Sequence, residues 1–582
     1  MSERIFIGVA WPYANGPLHL GHIAGAYLPS DIFARYHRIK GNEVLMVSGS
    51  DQHGTPITIR AEQEGKKPGE IAAQYHQQFL ESWRRLGISF DLFTSTGTAN
   101  HAQVTQDIFL KLLDKGYIYK STMSQPFCPN CQRFLPDRYV EGTCPYCHSP
   151  GARGDQCDAC SQPINATELI DPNCRICGAT PVVKETEHFF LKLSDLQGKL
   201  SEWVAKQAKK ANWRPNVLNL TRRYLKEGLR DRAITRDMDW GIPVPVEGYE
   251  SKRIYVWFEA VIGYLSASKE WAKSTGDSEK WRSFWEKDKK AKSYYFIGKD
   301  NIPFHTLIWP AMLMGYSDDL NLPYDVPSNE FLTIEGRKLS TSQNWAVWVP
   351  DYLSRYDPDP LRYLLSINMP ETGDTDFSWR EFIRRNNDEL VATYGNLVNR
   401  VLTFVYRNFD GCVPEHSKYN EICKYLDLNE DLGTTNIVDK SSMDMIEDAK
   451  GSLFREMGDR LSKCQFRQAI MGAMQVAQEA NQYLDKKSPW RTIKEDRQAA
   501  ADSLYVALYA ISCLKTALYP FLPFSSQKLH ELLGFLGSVE NDGWQPHFPE
   551  PRQKLLPPEP LFAKLDEGLA EEEASHLKHV PY

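Results

Sequence analysis

The chain has 582 residues and no apolar run long enough to span a bilayer. Its first residues enter a strand directly, without a basic segment and a long apolar stretch, so no secretory signal is expected. These absences make the cytoplasm the expected compartment and leave no membrane partner. Positive charge is not in surplus either. The net charge of −7 excludes a protein that coats nucleic acid, and any RNA-binding surface must gather its cations locally. The first glycine-rich loop contains neither GxGxxG nor GxxxxGK[ST], which excludes a dinucleotide fingerprint and a P-loop there. The length exceeds what one core can organise, so two to four domains are expected.

That loop runs Ala10-Trp11-Pro12-Tyr13-Ala14-Asn15-Gly16-Pro17-Leu18-His19-Leu20-Gly21-His22. Ile5–Val9 before it is short and apolar and reads as a buried parallel strand. Ile23–Arg38 after it reads as a helix interrupted at Pro29-Ser30-Asp31. In open α/β sheets ligands bind beyond the carboxyl ends of the strands. Two imidazoles beside a helix N-terminus suit a polyphosphate whose charge grows during reaction. A second strand, Val44–Val47, leads into Ser48-Gly-Ser-Asp51-Gln-His53-Gly-Thr-Pro56, placing Asp51 on the same sheet edge. A plainer reading makes Asp51 a turn residue capping the next helix. Helical patterns follow at about 68–87 and 100–116.

Residues 117–235 interrupt the α/β pattern and read as an inserted domain. Eight of the twelve cysteines form four CxxC pairs: Cys128/Cys131, Cys144/Cys147, Cys157/Cys160 and Cys174/Cys177. In a cytosolic chain this spacing argues for metal rather than disulfides, here two closed Cys₄ zinc sites of structural type. A short loop separates the two inner pairs, which suggests nesting, with the outer pairs closing a second site; sequential pairing is the rival. Cys412, Cys423, Cys464 and Cys513 are read as small buried residues. Arg222, Arg223, Lys226, Arg230, Arg232 and Arg236 then crowd a short segment that could guide an RNA end.

The second half, 236–325, holds Ile254–Tyr264 and Tyr294–His305, each read as an apolar strand followed by a polar or aromatic loop. Residues 326–380 carry Gly336-Arg-Lys338-Leu-Ser-Thr341-Ser342, with Lys338 as a phosphate-reaching cation and Gly336 as a hinge. From 381 to 550 the periodicity is helical throughout, at 381–408, 440–458, 464–487, 496–519 and 524–535. The tail, 551–582, is Pro-rich and then acidic, with a helix expected over Leu565–Lys578.

The run Pro-Tyr-Ala-Asn-Gly-x-x-His-Leu-Gly-His resembles the HIGH signature of class I aminoacyl-tRNA synthetases, in the form seen in the methionyl family. Lys338-Leu-Ser-Thr-Ser resembles that family's KMSKS loop, with threonine in place of the second lysine. The resemblance covers nearly the whole chain. It implies a Rossmann-like parallel-sheet catalytic domain split by the zinc insert, followed by an all-α anticodon-binding bundle. It implies activation of methionine with ATP and Mg²⁺, then transfer to the terminal adenosine of initiator and elongator tRNA(Met). His19, His22 and Lys338 would be catalytic. Pro12, Tyr13, Asn15, Gly16, Gly21, Gly298, Asp300 and Thr341 would join them around ATP. Ala10, Trp11, Tyr13, Asp51, Trp257, Val261, Tyr264, His305 and Trp309 would hold methionine, with Asp51 on the α-ammonium. Trp11 and Val261 depart from the family's frequent leucine and proline. Asn396, Arg400 and Trp490 would read the CAU anticodon. Relatives with one zinc keep the inner four cysteines, which favours nesting. No sequence remains for the dimerising C-terminal domain of some relatives, so a monomer is expected. Two other readings stay open, a class I synthetase for cysteine, leucine, isoleucine or valine, and a catalytically silent tRNA-binding protein. The branched-aliphatic enzymes carry a longer hydrolytic insert, and an intact HxGH with Asp51, Asp300 and Lys338 argues against silence.

Overall fold

The computed structural model describes residues 2–136, 139–154, 157, 159–160, 164–341, 344–417 and 440–577. Cys423 and Ser342 lie outside them. Five strands form the central sheet: β1 (Arg4–Val9), β2 (Glu43–Ser50), β3 (Leu92–Ser95), β4 (Lys292–Gly298) and β5 (Ser328–Asn329). Their order is β5-β4-β1-β2-β3, and every pairing is parallel. Five of the six residues of β1 are buried, as a strand covered on both faces requires. The chain departs to opposite sides of the sheet after β1 and after β4, which are neighbours. Their carboxyl ends therefore open a crevice at the switch point.

After β1 the backbone is helical from Leu20 to Ile39 without a break. The expected interruption at Pro29 is absent, because the turns Ile23–Tyr27 just before it widen to π geometry. Proline supplies no N–H to the preceding turn. The Asn329 side chain fills one such gap, donating to the Ala24 carbonyl at 2.7 Å. Ile254–Tyr264 also differs from expectation. Only Arg253–Ile254 is strand, and Val256–Ser274 is a helix. Trp257, Val261 and Tyr264 stand at helical spacing, but a run this apolar hides its period.

The insert hangs on a long antiparallel pair, Ile118–Cys128 with Val182–Leu191, and the cysteine loops fill the space between. Helices Leu193–Lys210 and Pro215–Glu227 lead back to the sheet. Beyond it, Ile334 and Arg337 pair across a two-residue turn. Glu335 and Gly336 there have φ of 50° and 73°, so Gly336 is a turn residue of a tight hairpin rather than a free hinge.

The C-terminal part is the expected bundle. Helical backbone covers Trp379–Asn408, Lys440–Ser462, Phe466–Lys487, Arg497–Leu518 and Pro523–Leu532. The apolar core is continuous from the β1 face of the sheet into this bundle. A buried polar hub crosses the same junction. Asp31 accepts from Arg35 at 2.9 Å, Arg362 at 2.7 Å, and Ser89 N–H and Oγ at 2.8 and 2.6 Å. Arg362 also donates to the carbonyls of Leu86, Pro520 and Phe521. The tail helix is shorter than expected, Leu569–His576, because Leu565 is instead bracketed by the Asn387 side chain. Cys464 and Cys513 are buried as expected, while Cys412 is half-buried.

Candidate active site

The first loop crosses the crevice as an extension of the sheet. Asp51 donates its N–H to Pro12 O at 2.8 Å, and Ala14 N–H donates to Asp51 O at 2.9 Å. Ala10 N–H donates to Phe296 O on β4 and its carbonyl accepts from Tyr27 Oη. Local backbone pairing therefore places Ala10, Tyr13 and Asp51 together.

His19 precedes the first helical turn, and His22 closes it. Their rings stack at 3.8 Å, and His22 Nδ1 accepts the His19 main-chain N–H at 3.2 Å. That bond leaves the proton of a neutral His22 on Nε2. Burial lowers His22 to about 4, and burial followed by the neighbouring His22 lowers His19 well below its ordinary value. Both rings are therefore neutral at pH 7. They can donate to a phosphate without carrying charge into the site. The second signature loop rests against this pair. A Cβ on Gly21 would stand 2.6 Å from Leu339 Cδ1 and 3.1 Å from the His19 ring. The segment before Val349 also runs beside His19, with Leu20 N–H on Val347 O and Val349 N–H on Leu18 O. Lys338 is exposed, and its Nζ lies 5.5 Å from the Phe331 ring centre. Arg337 stacks on Trp345 at 4.1 Å. Thr341 is exposed.

Asp51 is almost wholly buried and does not cap the next helix, whose N-cap is Gly54. Burial, reinforced by Glu259, pushes its carboxyl up to about 8. His305 Nδ1–H donates to Asn301 O at 2.8 Å, so its Nε2 accepts from Tyr264 Oη at 2.7 Å. Burial lowers His305 to about 4, which keeps that arrangement neutral. The Trp11 indole is slotted between Gly49 and Gly263, where a Cβ would lie 2.3 and 2.6 Å from its ring. Only glycine at both places leaves room for tryptophan at position 11. Val261 is buried one helical turn after Trp257. Trp309 has no exposure and donates to Tyr295 Oη at 3.1 Å, which places it in the core behind the crevice.

Trp257, more than a third exposed, packs edge-on against Phe304 and opens onto a cavity of 1310 Å³. Tyr13, Asp300, Arg223, Arg230, Arg232 and Arg236 also line it, between the sheet and the insert. Arg222 and Lys226 do not. Gly298 ends β4, immediately before the turn that carries Asp300. His19 and His22 lie outside the walls of this cavity. In the bundle, Arg400 lies over the Trp490 ring at 4.7 Å and pairs with Asp485 at 2.8 Å. Trp490 sits on a short helix, Pro489–Thr492, where a loop was expected. Asn396 is exposed one turn before Arg400.

The cysteines pair as nested sets. Cys128, Cys131, Cys174 and Cys177 gather in one group, and Cys144, Cys147, Cys157 and Cys160 in another. Four sulfurs around one zinc at about 2.3 Å stand about 3.8 Å apart. Sulfur pairs here stand 3.4 and 4.0 Å apart in the outer set and 3.8 and 3.6 Å apart in the inner. Each set thus offers a fourfold thiolate cage of zinc dimensions, and none of the eight is in a disulfide.

Sequence reading missed the Leu339–Gly21 contact, the Trp345–Val349 segment beside His19, and the partners of Glu259. The helical spacing of Trp257, Val261 and Tyr264 was the available signal for the helix that carries Glu259.

The family model described as tRNA synthetases class I (M) matches residues 5–402. The model for the anticodon binding domain of methionyl tRNA ligase matches residues 435–578. A methionine–tRNA ligase of Dehalococcoides mccartyi is 62% identical, with 99% of this chain and all of that protein aligned. One from Thermomicrobium roseum is 52% identical over 99% of both chains. The structure of Mycobacterium tuberculosis methionyl-tRNA synthetase in complex with methionyl-adenylate superposes with a TM-score of 0.76. At 24% identity it covers 97% of this chain and all of its own, and it supports the fold. The chain belongs to the methionyl-tRNA synthetases, the class I ligases that join methionine to tRNA.

Proposed function

We propose that this ligase activates methionine in the crevice between β1 and β4 and that the residues gathered there divide the work as follows. Asp51 receives the α-ammonium. Tyr264 and His305, locked to each other, shape the thioether end together with Ala10, Trp11, Tyr13, Trp257 and Val261, and Trp309 backs that wall. Aromatic edges suit a flexible, polarisable sulfur. Pro12, Asn15, Gly16 and Gly21 line the path of ATP, and Gly298 and Asp300 meet its ribose. A methionine carboxylate oxygen attacks the α-phosphorus, a P–O bond forms, and the bond to pyrophosphate breaks. His19 and His22 donate to oxygens that gain charge, Lys338 supplies a cation to the leaving pyrophosphate, and Thr341 adds a neutral hydrogen bond. Mg²⁺ accompanies ATP as its counter-ion. The terminal adenosine of tRNA(Met) then attacks the mixed anhydride, releasing AMP.

The single observation that carries this reading is the stacked, neutral His19–His22 pair at the switch point, on the same sheet edge as the buried Asp51. The basic wall from Arg223 to Arg236 faces the same cavity as Trp257 and is the route proposed for the tRNA end. Asn396, Arg400 and Trp490 are proposed to meet the anticodon. The two cysteine cages fit structural zinc, which would hold the insert's loops together. The corresponding domain division is 1–116 and 236–325 for the catalytic halves, 117–235 for the insert, 326–380 for the signature loop and stem contact, 381–550 for the bundle and 551–582 for the tail. The chain acts as a cytoplasmic monomer in this reading. ATP–pyrophosphate exchange against a panel of amino acids tests it. Exchange with methionine alone is expected, and exchange driven by leucine or isoleucine refutes it. Asp51→Ala should raise KM for methionine by the worth of a charge-assisted hydrogen bond, about 1.5–3 kcal/mol.

A further inference from the structure

Behind Asp51 lies a second set of charged groups that the reaction as described does not use. His53 turns its Nδ1–H onto both oxygens of Glu259, at 2.9 and 3.1 Å. Glu259 has no exposure and sits on helix Val256–Ser274, which also carries Trp257, Val261 and Tyr264. From helix Ala99–Asp114, His101 brings Nε2 to 3.7 Å from Glu259 Oε2. Its Nδ1–H is held by Ser266 Oγ at 2.8 Å, whose own hydrogen goes to Gly263 O. Asp51 accepts the His53 main-chain N–H at 3.3 Å. Among the described residues, no Lys or Arg forms an ion pair with Asp51 or Glu259. His101 Nε2 also lies 3.4 Å from Thr105 Oγ1, and the rings of Trp240 and Trp11 pack beside His53 and His101 respectively.

Two buried acidic groups thus adjoin one imidazole, Glu259 through the ring and Asp51 through the main-chain N–H; with both ionised, a single imidazolium leaves the set one positive charge short of balance. Buried charges persist only when paired. We propose that His53 and Glu259 are a positioning pair for the amino-acid site, and that the methionine ammonium enters as the fourth member of a buried cluster whose other members are Asp51, His53 and Glu259. The proposal rests on Asp51 as the ammonium acceptor. Glu259 holds the imidazolium, the imidazolium faces Asp51, and the incoming ammonium takes the place of a proton, which leaves to solvent.

The direction of each titration agrees. His53 and Asp51 are the titratable groups that face Glu259 from the β2 loop, and His101 is the one that faces it from helix Ala99–Asp114. Against its own burial, Glu259 is held below its ordinary value by His53 and His101. His53, although buried, is raised by Glu259 and Asp51. At pH 7 a carboxyl that titrates near 8 carries a proton in the free site.

Calorimetry of methionine binding to the full chain, in two buffers of different ionisation enthalpy, counts protons. Release of about one proton is expected at pH 7, fading as the pH rises past about 8. Glu259→Gln removes the charge that adds to burial in lifting Asp51, so its release at pH 7 should fall measurably, while Glu259→Asp retains it. His53→Gln should raise KM for methionine about tenfold and leave kcat within about threefold. Unchanged proton release in Glu259→Gln, or an unchanged KM in His53→Gln, overturns the proposal. If Glu259→Gln does not fold, His53→Gln carries the test, with ATP binding as its folding control. Asp51→Asn reports separately on the underlying reading. If it binds methionine as tightly as the unmodified chain, the ammonium assignment fails. If it binds weakly while the His53 and Glu259 variants behave normally, only the pair fails.

Discussion

Replacing Asp31 by asparagine keeps the shape of the buried hub and removes the negative charge at its centre. Asp31 and Arg362 have no exposure, and Arg35 is nearly buried. Despite burial, the guanidiniums of Arg35 and Arg362 and the hydrogen bonds from Ser89 hold the carboxyl at about 2, against 3.8 ordinarily. That gap converts to roughly 2–3 kcal/mol of folding free energy at neutral pH. The sign follows from a depressed value. The contribution is complete above pH 3.8 and is lost as the pH falls through about 2. Asparagine forfeits it at every pH and leaves two guanidiniums facing an amide, so the full cost should approach about 3–5 kcal/mol. The hub ties helix Leu28–Ile39 to the end of helix Pro68–Leu86 and to the turn after Leu518. The loss should therefore lower the unfolding midpoint of sheet and bundle together. Urea unfolding followed by tryptophan fluorescence, with methionine-dependent exchange as a second probe, measures it. A double-mutant cycle with Arg362→Gln should return a coupling well above 0.5 kcal/mol, the additivity error of about that size for independent sites. If Asp31→Asn unfolds within about 0.5 kcal/mol of the unmodified chain, as an ordinary surface substitution would, the hub is not what joins the two regions.

Lys338→Ala should lower kcat for pyrophosphate exchange strongly with little change in KM for methionine, the mark of a contact made as charge develops. Thr341→Ala should cost only a neutral hydrogen bond, about 0.5–1.5 kcal/mol, and a faster exchange reaction in Thr341→Lys combined with a mild Lys338→Ala would place the loop's cation elsewhere. Trp490→Ala removes both a stacking plane and the seat of Arg400, so aminoacylation should fall by about 1–3 kcal/mol of tRNA binding while exchange is kept; equal losses would assign Trp490 to the fold. Gly21→Ala forces Leu339 and the His19 ring aside and should slow exchange with little loss of stability, whereas Leu339→Ala in the same chain should restore part of the rate. A strong chelator should release close to two zinc ions per chain and lower the melting temperature of the insert, and no metal by mass spectrometry would leave the cages as bare thiols.

Features carried by neighbouring residues were legible in the sequence. Strand β1, the histidine loop after it and the four CxxC pairs each lie within a few residues of their partners, and local chemistry dictates them. The nesting of the cysteines was suggested by the short inner loop, and the family resemblance favoured it over sequential pairing. Helix Val256–Ser274 was misread because Val261–Ser268 is buried without a break, which removes the polar face that reveals a period. Pro29 looked like a break because a sequence does not show that a widened turn and Asn329, 305 residues away from Ala24, meet the need. The His53–Glu259 pair spans 206 residues and depends on two elements meeting at the switch point. No spacing rule reports such a contact.

The nesting of the two cages also sets an order of assembly. The inner set is closed by Cys147 and Cys157, 10 residues apart, whereas the outer set must bring Cys131 and Cys174 together across 43. Loop-closure entropy makes the longer ring costlier by about 1.3 kcal/mol, close to a tenfold difference in odds. Once the inner sulfurs have gathered, most of the intervening chain is already tied off, and the outer ring closes across a much shorter free path. The reverse holds on opening, since the outer cage can come apart while the inner one stays whole. The insert is thus a hierarchical knot in which a newly made chain secures its innermost loop first and its attachment to the long antiparallel pair last.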